Sequence, residues 1–265
     1  MNKTGWVDSH CHLDFVEFSK QDYVALLKAA GCQGVLVPAI SAQYFQRLCD
    51  FKSASNNNNS NFVQIALGLH PYFIDEHKPA HLAQLEKYIQ LYGPVAVGEI
   101  GLDYALPAAS HKSQMLWFKQ QVVLAQKYKL PLVIHCRKAH DQLASTLRKL
   151  SFTQGGFIHG FSGSQVQADV YLKLGFVLGL SGALTYDRAK ALHKLVAYLP
   201  DDAYVLETDS PDMRPSFARH AINTPLNIPR IVEYIAQLKG QTAETIIKNS
   251  SQNYHRIILK SADRF

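Results

Sequence analysis

The chain has no apolar run approaching the roughly 18 residues that a membrane-spanning helix requires. Its first residues, Met1 to Gly5, lead straight into a strand-like segment carrying Asp8 and His10, so they are not read as a signal peptide. Cysteine is scarce. None of Cys11, Cys32, Cys49 and Cys136 forms a C-x-x-C pair, which leaves a zinc-finger reading with little support. All four are read as reduced thiols of a cytoplasmic protein. There is no G-x-x-x-x-G-K-[ST] phosphate loop and no G-x-G-x-x-G fingerprint. The turn Gly160-Phe161-Ser162-Gly163 lacks the G-x-S-x-G spacing of a hydrolase elbow, so Ser162 is not read as a nucleophile. Charge of one sign is also in short supply. A net +6 and a pI near 9.0 allow a phosphate-rich partner, and a solvated basic surface would account for them equally well.

What is present is a regular alternation. Buried-type strands are read at Gly5–His10, Gly34–Pro38, Phe62–Leu69, Pro94–Gly98, Leu130–Ile134, Gly156–His159, Phe176–Leu180 and Tyr204–Leu206. Helical patterns fall between them: residues 20–30, 42–51, 81–91, 110–128, 139–150, 165–174 (with Ser164 as N-cap) and 187–199. Two more, 225–238 and 242–258, close the chain. The polar stretch Ser53 to Asn61 is read as a flexible surface loop rather than a linker, because the alternation resumes at once. Strand–helix alternation argues for a parallel sheet with helices outside. Residues 1–265 are therefore expected to form a single α/β domain, a (β/α)8 TIM barrel with an extra C-terminal helix. An open doubly wound sheet is the alternative.

Closure is favoured by where the chemistry falls. Strands one, four, five, six and eight deliver a His10-x-His12 pair, Glu99, His135, His159 and Asp209 at or just past their C-terminal ends. In a closed parallel barrel those ends meet on one face, where active sites sit. His10 and His12, two apart, can face one way and grip one cation, although two surface histidines would explain that pair alone. Glu99 lies between two glycines in Gly98-Glu99-Ile100-Gly101, an unusual setting for a merely solvated acid. Four imidazoles and two carboxylates exceed what one ion with an open position needs. They suit two divalent ions about 3.5–4 Å apart bridged by a carboxylate. The mixed donors favour zinc, manganese or iron over a purely oxygen-ligated magnesium. His70, after strand three, is equally consistent with a site-facing group and with a turn histidine.

Six motifs carry a resemblance over nearly the whole chain: Asp8-Ser9-His10-Cys11-His12-Leu13-Asp14, Gly68-Leu69-His70-Pro71, Gly98-Glu99-Ile100-Gly101-Leu102-Asp103-Tyr104, Ile134-His135-Cys136-Arg137, His159-Gly160-Phe161-Ser162-Gly163-Ser164 and Glu207-Thr208-Asp209-Ser210-Pro211. In this order they resemble the TatD family of metal-dependent deoxyribonucleases, within the amidohydrolase superfamily. Gly160 and Pro211-Asp212-Met213 resemble its YjjV-like branch.

The resemblance implies that His10, His12 and Asp209 hold one ion, that Glu99 bridges, and that His135 and His159 complete the second. It implies Asp209 as general base and places His70 and Arg137 near the substrate phosphate. The implied cofactors are two divalent metal ions (zinc, manganese or magnesium). The implied substrate is DNA, single-stranded or at 3′ ends, cleaved by a monomer with no membrane partner. Two alternatives stand beside it: an ester or amide hydrolase such as a D-aminoacyl-tRNA deacylase, and a non-catalytic nucleic-acid-binding barrel. No aromatic platform for stacking bases stands out in the sequence.

Overall fold

The computed structural model describes residues 5–19, 21–56 and 61–262. Eight strands form one parallel sheet in chain order: β1 (Trp6–Asp8), β2 (Cys32–Pro38), β3 (Val63–Leu67), β4 (Ala96–Asp103), β5 (Leu132–Arg137), β6 (Gly156–Ile158), β7 (Phe176–Leu180) and β8 (Tyr204–Leu206). The last strand returns to the first. The Ser9 N–H donates to the Leu206 carbonyl at 2.9 Å, Asp209 to His10 at 2.8 Å and His12 to Ser210 at 2.8 Å. The sheet is thus the closed (β/α)8 barrel expected, and the open alternative, which would leave β1 and β8 as free edges, is excluded.

Helices α1 (Tyr23–Ala29), α2 (Phe45–Ser55), α3 (Pro79–Tyr92), α4 (His111–Lys127), α5 (His140–Lys149), α6 (Gln165–Lys173), α7 (Lys190–Tyr198) and α8 (Ile228–Lys239) follow successive strands. Local chemistry sets several ends. Asp22 accepts the Ala25 N–H at 2.9 Å and starts α1 there, later than the apolar pattern suggested. The proposed start at Lys20 lies outside the described residues. Ser164 caps α6 as expected, and Gln167 completes a reciprocal cap by accepting the Ser164 N–H. Residues 53–55, read as loop, instead extend α2. Asn56 then bonds both the N–H and the carbonyl of Val63 and so ties the helix end to β3.

Side chains alternate across each strand, and that decides which face is core. Val7, Leu36, Ala66, Ala96, Val133, Phe157, Val177 and Val205, one from each strand, pack together inside the barrel. The alternate positions (Val35, Ile65, Val97, Ile134 and Leu178 among them) pack outward against the helices. The C-terminal helix α9 (Ala243–Ala262) supplies Tyr254, Ile257 and Ile258 to the inner cluster. It is held at the N-terminal strand ends, where Ser251 donates to the Gly5 carbonyl and Asn253 to those of Asp201 and Tyr204. The extra helix is therefore the floor of the barrel.

β4 departs most from the sequence reading, which ended the strand at Gly98. It runs on to Asp103, with Val97 opposite Leu132 but Ile100 opposite Ile134, so it carries one extra residue. Such a bulge shifts the alternation by one and re-aims a side chain. Beyond it Gly101 pairs with His135 and Asp103 with Arg137, which puts Glu99, Gly101 and Asp103 on the inner face.

Tyr254→Ala should lower unfolding free energy by about 3–5 kcal/mol, as large-to-small changes of buried aromatics do. Urea denaturation measures this, and a loss under 1 kcal/mol would show that α9 does not form part of the core.

Candidate metal centre

The period of two carries polar groups onto the inner face directly above the apolar layer. Val133 leads to His135 and then Arg137, Phe157 to His159, and Val205 to Glu207. At the centre is Glu99, buried and ringed by imidazoles. His10 Nε2 is 3.2 Å from Glu99 Oε2 and His12 Nε2 is 3.9 Å from it. His70 Nε2 and His135 Nδ1 are each 3.3 Å from Oε1. Asp209 faces the same space, with Oδ1 3.6 Å from His10 Nε2 and 3.7 Å from His12 Nε2, and Oδ2 3.5 Å from His159 Nε2. Asp209 adopts a left-handed backbone (φ +54°), which a non-glycine residue enters at a cost of about 1–3 kcal/mol. Its N–H bond to the His10 carbonyl holds it there.

The structure brings all six expected ligands to the barrel mouth and groups them in its own way. His10, His12 and Glu99 form one tight set, His70, Glu99 and His135 a second, and His10, His159 and Glu207 a third. His135 and His159 thus fall in different sets, their ring centroids 6.4 Å apart.

Tautomers separate the histidines further. Tyr72 N–H donates to His70 Nδ1 at 3.0 Å, so the proton of a neutral His70 sits on Nε2 and points at Glu99. His70 is therefore placed as a donor. His135 Nε2 is 3.2 Å from Asp103 Oδ2, and His159 Nδ1 is 3.0 Å from Glu207 Oε1. The Asp103 carboxylate fixes the Nε2–H of His135 and frees its Nδ1 to bind a cation, while Glu207 stands close behind His159 on the Nδ1 side and leaves Nε2 toward Asp209.

The donor set fits divalent metal. His10 Nε2 is buried without a hydrogen bond although oxygens of Glu99 and Asp209 stand close by, and His12 Nε2 faces the same two carboxylates. A cation held between these lone pairs would satisfy both, and two carboxylates balance its charge. Electrostatics agree. Burial pushes the Glu99 carboxyl up, but His70, His10 and His135 outweigh it and hold it well below the usual range. Asp209 is lowered in the same way, burial being overcome by His159, His10 and His12. Burial lowers His12 and His70. His135 and His159 are raised against burial by their carboxylate neighbours.

Supporting residues passed over in the sequence are now visible. Glu207 is buried behind His159 and also accepts the Gly160 N–H at 2.6 Å. Glycine at 179 leaves room for it, since a Cβ there would lie 2.1 Å from Glu207 Oε2. Asp8, buried and pushed up to about 8 by desolvation, ties β1 to β8 through the Thr208 hydroxyl at 2.6 Å. Two glutamines of α4, read only as part of an amphipathic helix, clamp backbone. Gln121 bonds both the N–H and the carbonyl of Leu69, next to His70, and Gln114 does the same for Asp103. A polar residue on the buried stripe of an amphipathic helix was the available signal.

The site opens into a cleft of about 610 Å3. Arg137 stands exposed on its wall, two residues beyond His135. Phe15, Tyr72 and Phe73 line it as well, with Phe15 stacked on His12 at 4.8 Å. They are the aromatic surface that the sequence did not reveal, because it is assembled from two separate loops.

Residues 7–259 match the model of the TatD related DNase family. The chain belongs to the TatD family. It is 34% identical over 256 residues to the metal-dependent hydrolase YjjV of Escherichia coli K12, covering 95% of this chain and 97% of that one. The crystal structure of E. coli YjjV, a TatD homologue, superposes with a TM-score of 0.88 over 97% of this chain and 98% of the other, at 33% identity. A protein of Pantoea vagans named as the 3′-5′ ssDNA/RNA exonuclease TatD is 30% identical over 244 residues, covering 88% of this chain and 91% of that one. The chain is thus a TatD-family metal-dependent hydrolase, and the resemblance to the YjjV-like branch stands.

Gln121→Leu should cost about 1–3 kcal/mol for each Leu69 backbone group it orphans. Urea unfolding reads that loss, and an unchanged midpoint would remove the clamp. Saturation with divalent metal at 100 times its Kd should add about 2.7 kcal/mol of stability. A melting temperature unmoved by chelation would count against a metal centre.

Proposed function

We propose that the chain is a deoxyribonuclease that removes nucleotides from the 3′ end of single-stranded DNA, using water activated by two divalent ions. The observation that carries this reading is the convergence of four histidines on two carboxylates, buried Glu99 and half-buried Asp209, at the floor of an open cleft. When bound, a pair of divalent ions lowers the pKa of water and neutralises charge on both the attacked and the departing oxygen of a phosphodiester.

His10, His12 and Asp209 would hold one ion and His135 and His159, drawn from two of the sets above, would serve the second, with Glu99 shared between them and Asp103 and Glu207 orienting the two rings. Zinc and manganese match the mixed donors best. Asp209, kept ionised by the imidazoles around it, accepts the proton of the attacking water. Arg137 presents its guanidinium to the phosphate oxygens, and His70, whose Nε2 proton points at Glu99, lines the cleft beside them. Phe15, Tyr72 and Phe73 offer faces on which unpaired bases stack, worth about 1–3 kcal/mol per base. A stacked base must be out of a duplex, which supports a single-stranded substrate, as does the name of the Pantoea relative.

Digestion of a 3′-labelled single-stranded oligonucleotide tests the reading. The metal-loaded protein should release the label, EDTA should stop it, and Asp209→Asn should slow it by about 10²–10⁴-fold. Intact DNA beside a control nuclease that digests it would refute the reading. Release of an amino acid from charged tRNA under the same conditions would move the chemistry to an acyl bond.

A further inference from the structure

A second cleft adjoins the first. It encloses about 790 Å3 and shares Asp212 and Met213 with the metal-centre cleft, so the two are separated only by that ridge. The ridge is anchored: Asn223, fully buried, donates to the Asp212 carbonyl at 2.6 Å. Arg188, Arg214 and Tyr186 line the second cleft. Arg188 and Arg219 both lie over the Tyr186 ring, at 5.0 and 4.9 Å, and the Tyr186 hydroxyl donates to the Arg214 carbonyl at 3.0 Å. Two exposed guanidiniums thus stack on one aromatic ring, and the third, that of Arg214, is tied beside them by donating to the Arg219 carbonyl at 3.4 Å.

None of the three forms an ion pair among the described residues, and Asp212 is the one carboxylate lining this cleft. Gathering like charges is unfavourable unless an anion offsets it. Guanidiniums held by stacking present their remaining N–H groups outward as a fork suited to phosphate oxygens. The position is also selective. A polyanion lying here continues directly into the metal centre, whereas a small phosphodiester filling only the first cleft would not reach it.

We propose that this cleft is the track for the phosphates of a single nucleic-acid strand beyond the scissile bond, bound by Arg188 and Arg214 of its lining with Arg219 adding charge beside Tyr186. It rests on the reading of the metal centre as a nuclease site and adds what that reading lacks. The chain selects polymers over small diesters through contacts outside the metal cleft. The strand crosses the Asp212–Met213 ridge, and its affinity falls with salt.

The test is direct binding, kept separate from cleavage. Anisotropy of a fluorescein-labelled single-stranded oligonucleotide is followed on metal-loaded Asp209→Asn protein across a salt series. Arg188→Ala/Arg214→Ala in the same background should weaken binding by about tenfold at low salt and flatten the log Kd against log salt slope by about 1.4, roughly 0.7 per lost phosphate contact. Metal content and melting temperature should not change, and Arg188→Lys/Arg214→Lys should recover the slope. Unchanged affinity and slope would overturn the proposal. So would a loss that follows metal content rather than charge. Failure of the wild-type protein to digest the oligonucleotide would sink the nuclease reading, while the salt slope would still decide whether this cleft binds the strand.

Discussion

Glu99 is the constraint around which the structure is arranged. A carboxylate so deeply buried is stable as an anion only where positive or hydrogen-donating groups surround it. Here His10, His12, His70 and His135 do so, the first two from the end of β1, His70 from the loop after β3 and His135 from β5. His70 is neutral and donates through Nε2. The others turn bare or carboxylate-backed nitrogens toward the same space. Such a cluster is poorly satisfied by protein atoms alone, as the unbonded nitrogens of His10 show, and this is the property of a site shaped for cations.

Holding this arrangement requires a rigid frame. The β4 bulge turns Glu99 inward, and its consequence is felt at Gly101. There φ is +150° and the His135 carbonyl lies so close that a Cβ would stand 1.8 Å from it. Gln114 and Gln121 grip the ends of β4 and β3 from outside the barrel, while α9 plugs it from below. The mouth is thereby left for chemistry, while the apolar layer beneath, one side chain per strand, excludes water and keeps the strands in register.

Around the metal centre the surface is graded. Buried carboxylates lie behind the ligand histidines, aromatic side chains line the near wall of the cleft, and arginines collect beyond the Asp212–Met213 ridge. A carboxylate-lined candidate metal centre beside a cationic surface is electrostatically suited to a polyanion.

The sequence by itself determined the barrel and singled out the candidate ligands. Strand periodicity is local, since it reports which residues can be buried. His10, His12, Glu99, His135, His159 and Asp209 each follow an apolar run whose C-terminal end is legible without knowing its neighbours. It could not show what depends on contacts across the chain. The β4 bulge is defined by its pairing with β5. Glu207 and Asp103 become orienting groups only because β6 and β5 set histidines beside them. The glutamines of α4 are indistinguishable from an ordinary polar stripe until the strand ends they clamp are in place. Phe15 joins Tyr72 and Phe73, and Arg188 joins Arg214 and Arg219, from separate loops. Loop conformation is fixed by the packed scaffold rather than by local periodicity, so the tertiary structure alone decided how the ligands group and what surrounds them.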